Sequence, residues 1–415
     1  MNERQKLEAE GLLVTRGFID LHAHLREPGF EDSETIATGA HAALRGGFTT
    51  ICAMPNTEPA IDTPSLVAEV LRRGAAAGGA RVLPIATITR GRRGRELADL
   101  VELAAAGAVA FSDDGSPVED SRLFAHALEY AGTRDLLLIE HPQDLALSGK
   151  GVMNDGAVSA ALGLAAIPNA AEDIAVARAI LAAEAASARV HLTHISTAGS
   201  VDMVRAAKKR GVRVTCDATP HHLALTDDWV GGRRALAWEQ ALKGAALPGE
   251  PPRGVPYDAN TKMNPPLRRL HDVRALWIGL KDGTIDAIAT DHAPHASVRK
   301  EVEFDQAAFG ISGLETALSL VLGGVEAGWC DLDVVLRALT DGPARILGIT
   351  PAEDDWIAID RDARWTVTAS ALHTLGKNTP LLGRELKGRV VRAVVGGETR
   401  FDDGGVRGKA TAAAR

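Results

Sequence analysis

Short β-branched or apolar runs alternate along the chain with longer Ala- and Leu-rich stretches of helical period, which predicts repeated strand-helix units. Eight runs read as strands, at residues 14–21, 48–54, 81–87, 109–112, 136–140, 190–193, 212–216 and 285–290. The helical period is clearest at 34–44, 66–77, 95–106, 121–130, 171–186 and 201–210, each closed by glycine or followed by a strand signal. Ser33 ahead of Glu34, and Asp120 with Ser121, supply oxygens suited to capping. Eight strands separated by helices predict a (β/α)8 barrel of the TIM type over residues 14–350. Beyond it, 351–415 reads as a small β subdomain and tail, with strands at 356–368 and 388–401.

Polar residues fall at the ends of the predicted strands. His22 and His24 close the first, Asn56 the second, Asp113 and Asp114 the fourth, His141 the fifth, His194 the sixth and Asp291 the eighth. In a barrel of this kind the C-terminal strand ends share one mouth, so these side chains converge. Side chains at i and i+2 of an extended segment face the same way, so His22 and His24 can reach one ion together. Taken alone, the pair reads equally well as two polar residues on an edge strand. The histidines and aspartates at other strand ends turn the reading toward a metal centre, either one zinc with supporting residues or two divalent ions sharing a carboxylate. Asp113 and Asp114 compete for the bridging place, since only one of two adjacent strand residues faces the mouth.

Bulk properties narrow the class further. The chain has 415 residues, 46% of them hydrophobic, enough for a large core, and a net charge of −8 with no basic run argues against nucleic acid. Cys52, Cys216 and Cys330 are far apart and form no metal-binding or disulfide pattern, which fits a reduced, cytoplasmic setting. The N-terminus lacks a signal-peptide layout, and no apolar stretch is long enough to span a bilayer without interruption.

Several motifs are more specific: GFIDLHAHLREPG at 17–29, AMPNT at 53–57, FSDDG at 111–115, EH at 140–141, HISTAGS at 194–200, KMNPPLR at 262–268, ATDHAPH at 289–295 and FGISGLET at 309–316. With these the chain resembles the bacterial class I dihydroorotases of the amidohydrolase superfamily. The resemblance implies a zinc centre of one or two ions, two favoured, held by His22, His24, Asp114, His141, His194 and Asp291. Asp114 is its bridging carboxylate by the family's spacing. It also implies hydroxide formed from zinc-bound water as nucleophile, with Asp291 as general acid and base. Arg26, Asn56 and His295 would bind the carboxylate of dihydroorotate, with His24 also touching substrate, and Asn264 with the backbone of Phe309 and Gly310 would contact the ring. Many superfamily members bridge their metals with a carboxylated lysine, but no lysine occurs between His24 and His141, which weakens hydantoinase and allantoinase readings.

The implied reaction is the reversible cyclisation of N-carbamoyl-aspartate to dihydroorotate in pyrimidine biosynthesis. A non-catalytic homologue serving as a structural partner of aspartate transcarbamoylase is the reading from another class, and it conflicts with a complete set of ligands. A homodimer, and association with the transcarbamoylase alongside activity, are both compatible with the resemblance. Two regions depart from the family pattern. Residues 1–13 read as a short remnant of the β subdomain, so its sandwich is expected to be incomplete with an exposed edge. Residues 229–256 form an insertion holding Trp229 and Trp238, compatible with a lid, a subunit contact or an unconstrained excursion. His221 and His222 read as structural or capping residues or as supports behind the metal ligands, and His191 as a barrel or supporting residue rather than a ligand; His41, His126 and His292, with Cys52 and Cys216, read as structural.

Overall fold

The computed structural model describes residues 3–242 and 254–404. Eight parallel strands form one sheet in the order β11-β10-β9-β6-β5-β4-β3-β2. They are β2 (Phe18–Ala23), β3 (Phe48–Ala53), β4 (Arg81–Ala86), β5 (Ala110–Phe111), β6 (Leu138–Glu140), β9 (Val190–Leu192), β10 (Val214–Ala218) and β11 (Ala287–Ile288). Contacts between the two end strands curl the sheet into a nearly closed barrel: Ala23 bridges His292, and His24 N donates to His292 O at 2.8 Å. Two more parallel strands, β7 (Met153–Asn154) and β8 (Ala166–Ile167), pair with each other outside the barrel.

The predicted first strand divides at Gly17. A Cβ there would lie 2.1 Å from Thr49 Oγ1, so only glycine lets the chain pass this close to the next strand. Before the corner, β1 (Leu13–Arg16) pairs antiparallel with β12 (Trp356–Thr366), Leu13 opposite Ile359. The predicted strand 388–401 also divides. Gly396 and Gly397, at φ 60° and 77°, make the two-residue turn between β13 (Glu385–Val395) and β14 (Glu398–Asp402).

The result is a four-stranded antiparallel sheet in the order β1-β12-β13-β14. Alternation along β12 gives it two apolar faces. Ile357 and Ile359 join the main core with Phe18 and Phe48, while Trp356 and Ala358 face outward. Helix Glu3–Ala9 lies on the outward face, where Leu7 packs with Trp356, Ala358, Val391 and Val394. The N-terminal residues therefore supply a helix and an edge strand to this sheet, where the sequence predicted only a remnant. Leu7→Ala is expected to cost about 2 kcal/mol, the low end for a buried leucine near the surface. Urea unfolding would measure it, and an unchanged midpoint would mean the helix does not cover the sheet.

Helix boundaries follow their caps. Helix Ile36–Gly46 starts beyond Ser33 because Thr35 is the cap, accepting from Thr38 N. This frees Glu34 to turn inward. Helix Ser121–Gly132 starts where Asp120 accepts from Arg122 N and Leu123 N. The predicted helix 95–106 shortens to Leu100–Ala105, because Leu97 is bridged to Thr89 and Asp99 is the cap.

In the insertion, Trp229 is buried against Leu236, Met263 and Leu381, and the guanidinium groups of Arg234 and Arg384 lie 5.1 and 5.9 Å from its ring. Trp238 packs edge-on against Trp329. The rest of the insertion, 243–253, lies outside the described residues. Among the described residues no helix is long and apolar enough to cross a membrane.

Candidate metal centre

His22 lies near the end of β2, and His24, Asp114, His141, His194 and Asp291 lie just beyond the ends of β2, β5, β6, β9 and β11. All six are buried, and their side chains meet at the barrel mouth. Asp114 sits at the centre. Its Oδ2 is 3.5 Å from both His22 Nε2 and His24 Nε2, while its Oδ1 is 3.3 Å from His141 Nδ1 and 3.6 Å from His194 Nε2. Each oxygen thus faces one histidine pair. His22, His24 and Asp114 form one group able to hold a metal ion, and Asp114, His141 and His194 form a second. Asp291 Oδ1 lies 3.1 Å from His24 Nε2 and 3.4 Å from His22 Nε2.

Hydrogen bonds fix which nitrogens point inward. Thr193 donates to Asp217 Oδ2 at 3.2 Å, so its hydroxyl oxygen accepts from His22 Nδ1 at 2.8 Å. His24 Nδ1 donates to Asn56 Oδ1 at 2.8 Å, and His141 Nε2 to Gln143 Oε1 at 2.8 Å. The inward nitrogens of these three histidines are then bare acceptors. His22 Nε2 and His24 Nε2 face each other at 3.2 Å, and His141 Nδ1 lies 3.0 Å from His194 Nε2. Asp114 Oδ1 and His194 Nδ1 are buried without a hydrogen bond. The opposed lone pairs of His22 and His24 repel at this separation unless positive charge lies between them. The donor set of imidazole and carboxylate suits a borderline divalent ion such as zinc, so the residues present fit the metal that the resemblance implies.

The electrostatics agree. Burial opposes charge on His22, but Asp114 and Asp291 outweigh it and raise its pKa to about 9. Burial likewise opposes ionisation of Asp114 and Asp291, and His22 with its neighbours holds both below the usual carboxylate range. The cluster is built to attract positive charge.

Backbone strain is concentrated here. His194 and Asp291 have φ 40° and 45°, and Arg26 has φ 61°, conformations that residues with a Cβ rarely adopt. Two buried aspartates brace the first two. Asp217 Oδ1 accepts from His194 N at 2.6 Å, and Asp20 accepts from Thr290 N at 2.8 Å and from His22 N at 3.3 Å.

Around the cluster, Arg26 Nε donates to Pro294 O at 3.1 Å, and its Nη2 lies 3.3 Å from His295 Nε2. Burial lowers the Arg26 pKa to about 10, still fully charged at neutral pH, and burial with Arg26 lowers His295 to about 3, a neutral imidazole. His295 Nε2 donates to Phe309 O at 2.7 Å, and Gly310 N donates to Lys262 O at 2.9 Å. Asn264 Nδ2 donates to Gln143 Oε1 at 2.8 Å. These contacts link Arg26, His295 and Phe309 to one another, Asn56 to His24, and Asn264 to Gln143 beside His141.

Asp113 turns away, accepting from Ile88 N, Thr89 N and Thr89 Oγ1. His191 pairs with Asp217 Oδ2 at 2.8 Å, His222 lies between Thr219 and Pro265 O, and His292 faces Glu34 Oε2 at 3.3 Å. Sequence reasoning missed Gln143, Thr193 and Asp217. Gln143 and Thr193 carry no local signal, whereas Asp217, directly after the predicted seventh strand, follows the same strand-end rule as the others.

Residues 11–200 match a family described as Dihydro-orotase-like. The fold is similar to a solved L-hydantoinase (dihydropyrimidinase) from Arthrobacter aurescens, with a TM-score of 0.77 at 23% identity, covering 95% of this chain and 86% of that one. Fold and site together define a (β/α)8 barrel with a buried histidine-aspartate centre at its mouth. The chain is 49% identical to a dihydroorotase of Anaeromyxobacter sp. (strain K), over 97% of this chain and 89% of that protein. It is 50% identical to one of Anaeromyxobacter dehalogenans, over 95% and 88%. The chain belongs to the dihydroorotase family.

Proposed function

We propose that the protein is a zinc-dependent dihydroorotase that opens and closes the dihydroorotate ring, in biosynthesis toward closure, in which His22, His24, Asp114, His141, His194 and Asp291 would hold two metal ions, Asp114 belonging to both groups. The observation that carries this reading is the placing of Asp114, one oxygen toward His22 and His24 and the other toward His141 and His194, with Asp291 beside the first pair. A divalent ion held by these ligands supplies Lewis acidity, which lowers the pKa of water and stabilises negative charge on the ring carbonyl oxygen.

The chain's own residues do the rest. Asp291, kept ionised by its histidine neighbours, accepts the proton of the attacking water as the new C–O bond forms. It delivers that proton to the ring nitrogen as the C–N bond breaks. Closure runs through the same steps in reverse. Arg26, Asn56 and His295 bind the substrate carboxylate, for which a guanidinium is suited, and His24 also touches substrate. Asn264 and the backbone of Phe309 and Gly310 hold the ureide ring. The complete ligand set favours a catalytic over a scaffold role, and a carboxylate at the bridging place favours dihydroorotase over hydantoinase chemistry. As an organising scheme, the barrel expected over 14–350 serves as the hydrolase and 351–415 as the accessory β subdomain, which also takes in β1 (Leu13–Arg16).

Chelator treatment is expected to abolish dihydroorotate hydrolysis, and zinc to restore it with two ions bound per chain by elemental analysis. Full turnover by metal-free protein would overturn the reading.

A further inference from the structure

Between β12 and β13 the chain returns to the barrel mouth, and Asn378 in this segment is buried there. Its amide makes three hydrogen bonds: Nδ2 donates to Ala293 O at 3.0 Å and Gly310 O at 3.1 Å, while Oδ1 accepts from His295 N at 2.8 Å. Ser312 Oγ lies a further 3.0 Å from Oδ1. Both amide donors are used, and only one orientation of the amide satisfies all three bonds. The partners belong to two stretches of chain, one carrying His295 and the other following Phe309. The amide therefore links them from behind, as the bond from His295 Nε2 to Phe309 O links them in front.

The rest of the segment is fixed against the same backbone. Ser312 N donates to Asn378 O at 3.0 Å, and Ser312 Oγ to Gly376 O at 2.6 Å. A Cβ on Gly376 would lie 2.5 Å from His295 N and 2.8 Å from His295 O, so the two backbones are in direct contact. At its other end the segment is tied to Glu34 through Thr374 Oγ1 and Leu375 N.

We infer that Asn378 is a positioning residue for substrate recognition, setting the separation between His295 and the Phe309-Gly310 backbone so that one substrate meets both. The inference rests on the assignment of His295, Phe309 and Gly310 as substrate contacts in the proposed dihydroorotase reaction. Asparagine is required because aspartate, of the same shape, cannot donate. It would leave two carbonyls unpaired and set a negative charge against them. Asn378 touches neither the six clustered side chains nor the reacting bond. Its replacement therefore acts on binding.

The test is steady-state kinetics of the zinc-loaded full chain on dihydroorotate, with Asn378→Asp and Gly376→Ala beside wild type. The second variant moves the His295 backbone without altering the amide. Misplacement of about 1 Å predicts a rise in KM of roughly tenfold to a hundredfold in both. We expect kcat to stay within about threefold and zinc content to be unchanged, the signature of lost binding rather than lost chemistry. Unchanged KM in a folded Asn378→Asp protein overturns the inference, and so does a fall confined to kcat. If Asn378→Asp does not fold, Gly376→Ala decides by the same readout. Wild type that fails to turn over dihydroorotate overturns the proposed activity and the inference with it, whereas active wild type beside variants of unchanged KM overturns the inference alone.

Discussion

Asp291→Asn protein is expected to fold, to bind metal and to lose ring-opening activity by on the order of a thousandfold, within the range for a general acid-base group. The substitution is informative because asparagine keeps the size of the side chain and tolerates the left-handed backbone that Asp291 adopts at φ 45°. It removes the ability to take a proton from water and to return it to the leaving nitrogen. The four histidines and Asp114 remain to hold metal. The check is a hydrolysis assay combined with elemental analysis, and metal-loaded Asp291→Asn protein of near wild-type rate would remove Asp291 from the chemistry.

The adjacent pair Asp113 and Asp114 gives the second large contrast. Asp114→Asn is expected to weaken metal binding by more than about a hundredfold, beyond the usual effect of residues that only support a ligand. Activity should fall with the metal. Asp113→Asn should leave metal in place, because this carboxylate points to the 88–89 backbone and accepts three hydrogen bonds there. Its cost should appear as about 1–3 kcal/mol of stability, the penalty for disturbing buried hydrogen bonds. Metal titration and thermal unfolding of the two variants separate the roles, and metal loss in Asp113→Asn alone would exchange them.

Much of the centre was legible because strand geometry is local. The i, i+2 spacing of His22 and His24 places their Nε2 atoms 3.2 Å apart, and the strand-end rule brings in Asp114, His141, His194 and Asp291. What escaped prediction depends on contacts distant in sequence or on unusual backbone. Asn378 meets His295 across 83 residues and has no periodicity to announce it. The strained φ angles of His194 and Asp291 have no sequence signal, because neither residue is glycine. Gly17 did carry one, since glycine inside an apolar run marks a corner or a close approach, and the predicted strand ran through it. Helix Glu3–Ala9 was overlooked because a single large apolar residue, Leu7, anchors it to the sheet, too few for a helical period to show.

Glu34 is held at once by Thr38, His292, Thr374 and Leu375 N, with Thr374 lying 340 residues downstream. During synthesis, His22 and His24 leave the ribosome long before this last partner exists. Closing so long a loop is entropically costly and slow, so the mouth of the barrel is among the last regions to be completed. Until then Glu34 is a carboxylate without two of its donors, Thr374 Oγ1 and Leu375 N. Packing around Glu34 is thereby coupled to the arrival of residues 374–375, far downstream of the histidine pair.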